Sequence, residues 1–97
     1  MTIALGSDHG GFELKCAVIA HLQKSGCEIK DFGVYEACAS DYPDSAVPVC
    51  AAVLSGGADL GILICGTGIG ISISANKIHG IRCALCGDVF SAKMARL

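Results

Sequence analysis

In the stretch LICGTGIGIS at 63–72, an apolar run stops at Cys65, and Gly66, Gly68 and Gly70 follow at alternate positions. A thiol at the tip of a strand, just before a glycine loop that opens a helix, lies in a field of outward-pointing backbone N–H groups that favours the thiolate. Such a thiolate can attack a carbonyl or remove a carbon-bound proton. The other reading of Cys65 is a buried strand cysteine acting as a small hydrophobe. The glycines let backbone amides approach an oxyanion. They do not form a P-loop, because no Lys-Ser/Thr pair follows the last glycine. Asp88, twenty residues beyond Gly68, gives partial agreement with a dinucleotide fingerprint, but the spacing is G-x-G-x-G rather than G-x-G-x-x-G.

A second cluster is Asp8-His9, followed by Gly10-Gly11. A carboxylate beside an imidazole can handle hydroxyl protons or bind a polar ligand. Alternatively, Asp8 caps the helix that follows. His21, inside that helix, and His79, in a turn, read as residues without a catalytic role. Cys83-x-x-Cys86 is half of a zinc spacing, but no second pair stands at ligand distance, and on a strand two residues three apart point to opposite faces. No metal site is therefore expected.

These residues need elements to hold them. TIALG at 2–6 reads as a buried strand, and FELKCAVIAHLQKSG as a helix with Phe12, Cys16, Ile19, Ala20 and Leu22 on one side and Gly26 as its stop. CEIKDFG is a second strand and VYEACASDYP a polar loop. DSAVPVCAAVLSGG is a second helix, with Ser45 as N-cap and Pro48 in the first turn, where its missing N–H costs nothing. LGILIC is a third strand, ISISANKI a short helix, IRCALCGD a fourth strand, and VFSAKMARL starts another helix. Continuous apolar strands alternating with helices predict an α/β protein, with a parallel sheet of about four strands between two helix layers. In such sheets ligands bind beyond the carboxyl ends of the strands, and the exits of the first and third strands carry the groups named above.

The 97 residues suffice for one domain, 1–97, with no linker or internal repeat. An apolar fraction of 53% against 16% charged residues argues against disorder and suits a doubly covered sheet or an oligomer. The net charge of −2 argues against a nucleic-acid partner. No apolar run is long enough to cross a membrane, and the start is not a secretory signal, so a cytoplasmic location is expected. Seven cysteines, an odd number lying partly in apolar runs, read as free and buried thiols of a reducing compartment.

GSDHGG near the start, SDYPD at 40–44 and LICGTGIGISISANKIHGIRCALCGD at 63–88 resemble the ribose-5-phosphate isomerase B family, a group that also holds galactose- and allose-phosphate isomerases. The resemblance runs from Ile3 to Leu97. It implies a three-layer α/β/α Rossmann-like fold and an aldose–ketose isomerase that needs no metal or organic cofactor. The implied reaction interconverts ribose 5-phosphate and ribulose 5-phosphate through a cis-enediolate. Cys65 corresponds to the base moving a proton between C2 and C1. Thr67 and the amides of Gly66, Gly68, Ile69 and Gly70 correspond to the anion hole. Asp8 and His9 match the pair that handles sugar hydroxyls, the ring and phosphate. Tyr42 matches an aromatic lining the sugar, and Asn76 an asparagine contacting substrate or the partner subunit. A homodimer or homotetramer with its site at the subunit interface is implied as well.

Family members continue beyond the position of Leu97 with a ring-opening histidine, phosphate-binding arginines, a last strand and C-terminal helices. The resemblance therefore implies an N-terminal portion of such an enzyme. Arg82 and Arg96 are the only arginines, and Arg82 is expected at the strand end away from substrate. The competing reading is a non-catalytic Rossmann-like module that holds a nucleotide or pairs with another chain.

Overall fold

The structure, a computed structural model, describes residues 1–7, 9–32, 42–65 and 69–96; for His9, residues 42–45 and Ile69 it describes the backbone alone. One parallel sheet contains β1 (Thr2–Ser7), β2 (Glu28–Asp31) and β3 (Leu60–Ile64), in the order β2-β1-β3. Leu5 pairs with Asp31 on one side and Ile62 on the other, and Ser7 pairs with Ile64. Central β1 is covered on both faces, so Ile3, Ala4 and Leu5 are all buried, as its unbroken apolar sequence requires.

Helix α1 (Phe12–Lys24) follows a 3-10 turn at His9–Gly11. Its inward stripe differs from the one expected. Phe12, Ile19 and Leu22 are half-buried, but Cys16 and Ala20 are exposed, and Lys15 is buried in their place. Positions 12, 15, 19 and 22 repeat at three and four residues and form one face; positions 16 and 20 lie a further 100° round the helix. The helix ends as expected at Gly26, whose φ of 85° suits a residue without a side chain. The amides of Gly26 and Cys27 turn back to the Gln23 and Leu22 carbonyls.

Helix α2 (Tyr42–Leu54) begins before Ser45, so Pro48 lies inside it rather than in its first turn. The Asp44 carbonyl consequently loses its helical donor. The helix packs on the sheet, where Val49 meets Ala4 and Ala58 beneath Phe32, Ala52, Val53 and Leu63. A Cβ on Gly61 would lie 2.8 Å from Val49 Cγ1, so a bare backbone at this point of β3 is what lets the helix approach.

Helix α3 (Ile69–Asn76) buries Ile71 and Ala75 against this layer, whereas α4 (Val89–Arg96) buries none of its residues. Among the described residues the sheet has three strands, and the fourth strand expected at 81–86 does not form. Its apolar composition suits a strand, but its backbone is engaged elsewhere. Asn76 Nδ2 donates to the Cys83 carbonyl at 2.9 Å, and the Cys83 N–H donates to Asn76 Oδ1 at 2.8 Å. A side-chain amide thus takes both ladder groups of one residue. No described helix is long and apolar enough to cross a membrane.

Candidate active site at the strand tips

The parallel register aligns the carboxyl ends of all three strands on one edge: Ser7 of β1, Asp31 of β2 and Ile64 of β3. Cys65 is the next residue after Ile64, half-buried and not in a disulfide. Of the two readings open for it, a fully buried strand cysteine is excluded. Helix α3 starts at Ile69, earlier than expected, so Ile69 and Gly70 belong to its first turn. Amides in a first turn lack helical acceptors and point out of the N-terminal end of the helix. Gly66, Thr67 and Gly68, the remainder of the expected anion hole, lie outside the described residues, as does Asp8.

The first loop reaches this edge through a close backbone contact. A Cβ built on Gly11 would lie 2.5 Å from the Ile64 carbonyl oxygen and 2.7 Å from Ile64 Cγ2. The turn at His9–Gly11 therefore rests directly on the residue preceding Cys65. Gly11 is the N-cap of α1; the alternative in which Asp8 caps that helix falls on a residue outside those described. Tyr42 is the first residue of α2; its side chain lies outside what is described.

Asn76, expected to contact substrate or the partner subunit, bonds the backbone of Cys83 within the chain. The residue ends α3, seven residues from Ile69 and so about 10 Å along the axis. Its amide there holds Cys83. His21 and His79 are exposed.

A cleft of about 830 Å³ separates the outer edge of β3 from residues 81–87. Cys50, Cys65, Cys83 and Cys86 all line it, and so does Arg82. Because 81–86 is not a strand, two expectations change. Cys83 and Cys86 border one cleft instead of facing opposite ways, and Arg82 shares that cleft with Cys65. Among the described residues no group of three His, Cys, Asp or Glu is placed to hold a metal ion. The picture of buried thiols also needs correction: Cys50 alone of the described cysteines is buried, while Cys16 and Cys86 are exposed. Burial, then the neighbouring Cys83, pushes the Cys50 thiol up; burial, then Cys86, does the same to Cys83. Both are poorer thiolates than an ordinary cysteine.

Asp88, the acid that a dinucleotide reading would assign to ribose, is occupied at the start of α4. The Ser91 N–H donates to Asp88 Oδ1 at 2.7 Å and the Ser91 hydroxyl at 2.9 Å.

Lys15 is the residue that sequence reasoning missed. It has 1% exposure, and Nζ lies 2.8 Å from Asp31 Oδ1 and 5.4 Å from the Phe12 ring centre. The signal available was its place on the stripe of Phe12, Ile19 and Leu22, overridden by the habit of reading lysine as exposed.

Fold and site together define an open parallel α/β protein with a thiol and a helix N-terminus at the carboxyl edge of the sheet. The profile of the Ribose/Galactose Isomerase family matches residues 3–97, and the chain belongs to that family. It is 50% identical over 94 residues to ribose-5-phosphate isomerase B of Escherichia coli, covering 97% of this chain and 63% of that protein. It is 52% identical over 97 residues to the putative sugar phosphate isomerase YwlF of Bacillus subtilis, covering 99% of this chain and 65% of that one. The solved ribose-5-phosphate isomerase B of Clostridium thermocellum superposes with a TM-score of 0.96 at 51% identity, covering 99% of this chain and 65% of that structure. The chain thus spans somewhat less than two thirds of the length of these relatives.

Proposed function

We propose that the chain carries the deprotonation centre of an aldose–ketose isomerase acting on ribose 5-phosphate and ribulose 5-phosphate. The observation that carries this reading is the position of Cys65. It is half-buried at the exit of β3 and just ahead of α3, in a chain half identical to a ribose-5-phosphate isomerase B. A carbon acid beside a carbonyl is weak, so the barrier falls only if the enediolate oxygen is stabilised where it forms. Cys65 as thiolate takes the proton from C2 and returns it to C1, leaving no net change in protons or electrons. Thr67 and the amides of Gly66, Gly68, Ile69 and Gly70 receive the oxyanion. Asp8 and His9 move the hydroxyl proton and engage the ring, and Tyr42 lines the sugar. Asn76 contacts substrate or the partner subunit from a side chain held by the Cys83 backbone.

The working unit is a homodimer or homotetramer with the site at its interface, located in the cytoplasm. The exposed Val89, Phe90 and Met94 of α4 support such association.

The test is ketose formation from ribose 5-phosphate by the full chain and by Cys65→Ala. General-base removal should lower turnover about a hundredfold to ten-thousandfold, with a much smaller change in KM. Near-normal turnover in the variant would overturn the assignment of the base.

A further inference from the structure

The first turn of α1 is fastened at two places. At its start, Gly11 lies against the Ile64 carbonyl, one residue before Cys65. One turn on, Lys15 joins Asp31, the last residue of β2, at 2.8 Å. The turn carrying His9 leads directly into this doubly fastened stretch. Asp31 is itself registered to Leu5 of β1, two residues before Ser7. A chain of direct contacts therefore runs from the tip of β2 through α1 to the tip of β3.

An ammonium group is a costly way to fill buried space, and a methionine would occupy the same volume without that cost. What the charge adds is a fixed direction. The pair sets the height of α1 along the sheet, and an apolar contact, being non-directional, sets it less sharply. The aromatic ring of Phe12, at the first position of the same helix, lies against the same ammonium.

We propose that Lys15 and Asp31 are positioning residues: their ion pair holds the His9 turn at the level of Cys65. This rests on the isomerase reading above and deepens it. Neither residue takes a proton from substrate. Their effect runs through the geometry of the first loop, where a displacement of about 1 Å can cost a hundredfold in rate.

The test compares wild type, Lys15→Arg, Cys65→Ala and the double variant Lys15→Met with Asp31→Leu. The double variant removes both charges, so no unpaired carboxylate is left behind. It should melt close to wild type yet lose about tenfold to a hundredfold in kcat, with KM within about threefold. Amide hydrogen exchange at residues 9–12 and 64–65 should speed up more than in β1. Lys15→Arg should recover most of both. Wild-type kcat in the double variant, or exchange that rises uniformly across the sheet, overturns the proposal. If Cys65→Ala keeps its turnover, the base assignment fails; if wild type forms no ketose, the isomerase reading fails; in both cases the exchange pattern still decides the positioning role.

Discussion

Six cysteines lie among the described residues, and their surroundings sort them. Cys50 and Cys83 are held as thiols by burial and by a neighbouring cysteine, Cys83 for the first and Cys86 for the second, and Cys16 and Cys86 are exposed. Cys65 alone combines partial burial with a strand exit and a following helix start. Its environment depends on a glycine 54 positions earlier. Gly11 has an ordinary negative φ, so its need for a bare Cα is purely steric. An alanine methyl there would meet backbone atoms of Ile64, which cannot step aside as a side-chain tip would. Gly11→Ala should therefore cost about 1–3 kcal/mol in a urea unfolding curve. It should also lower isomerase turnover more than the stability loss explains, since the shift falls beside Cys65. A variant with unchanged midpoint and turnover would show that the two backbones are not in fact in close contact.

Among the elements, α4 is the most dependent on a single cap. It buries no residue, and its first turn is tied by Ser91 to Asp88. The Ser91 N–H, and after it the Ser91 hydroxyl, hold the Asp88 carboxyl below its usual range. A carboxylate whose folded value is lowered stabilises the helix above the unfolded value, about pH 4, and loses that effect as pH falls through the lowered folded value. The helical NMR signals of residues 89–96 should accordingly fade on acidification below about pH 4. Asp88→Asn, which keeps an acceptor, should flatten this response, and Asp88→Ala should fray the helix at every pH. A pH response that survives in Asp88→Asn would assign the titration to another group. The segment before α4 has a comparable dependence on Asn76, whose side chain bonds both backbone groups of Cys83.

For the whole molecule, the arrangement of three strand tips on one edge makes binding and stability inseparable. A ligand that engages the exits of β1 and β3 together binds only the folded chain, because those exits are more than fifty residues apart in sequence. Ribose 5-phosphate at a hundred times its dissociation constant should add about 2.7 kcal/mol to the stability of the native state, seen as a rise in melting temperature. NAD should leave the melt unchanged. The reverse pattern would favour the nucleotide-binding module over the isomerase. The outer edge of β3, bordered by the cleft, and the exposed apolar face of α4 are the surfaces on which the apolar excess of the chain remains uncovered.

Local pattern was sufficient for much of this. The period of the apolar residues and the glycine stops determined β1, α1 and β3 to within a residue or two, because strand and helix spacing are properties of the chain itself. The juxtaposition of Cys65 with alternate glycines was legible for the same reason: thiol and amides are neighbours along the backbone. Three things were settled only by the tertiary structure. Residues 81–86 have a strand's composition, but a strand exists only where a partner offers ladder bonds, and Asn76 takes those of Cys83. Lys15 reads as a surface residue until Asp31, on another element, makes its burial tolerable. Gly11 becomes indispensable only when β3 brings the Ile64 carbonyl against it. In each case the deciding partner is distant in sequence, and no local spacing records which groups the fold will bring within contact distance.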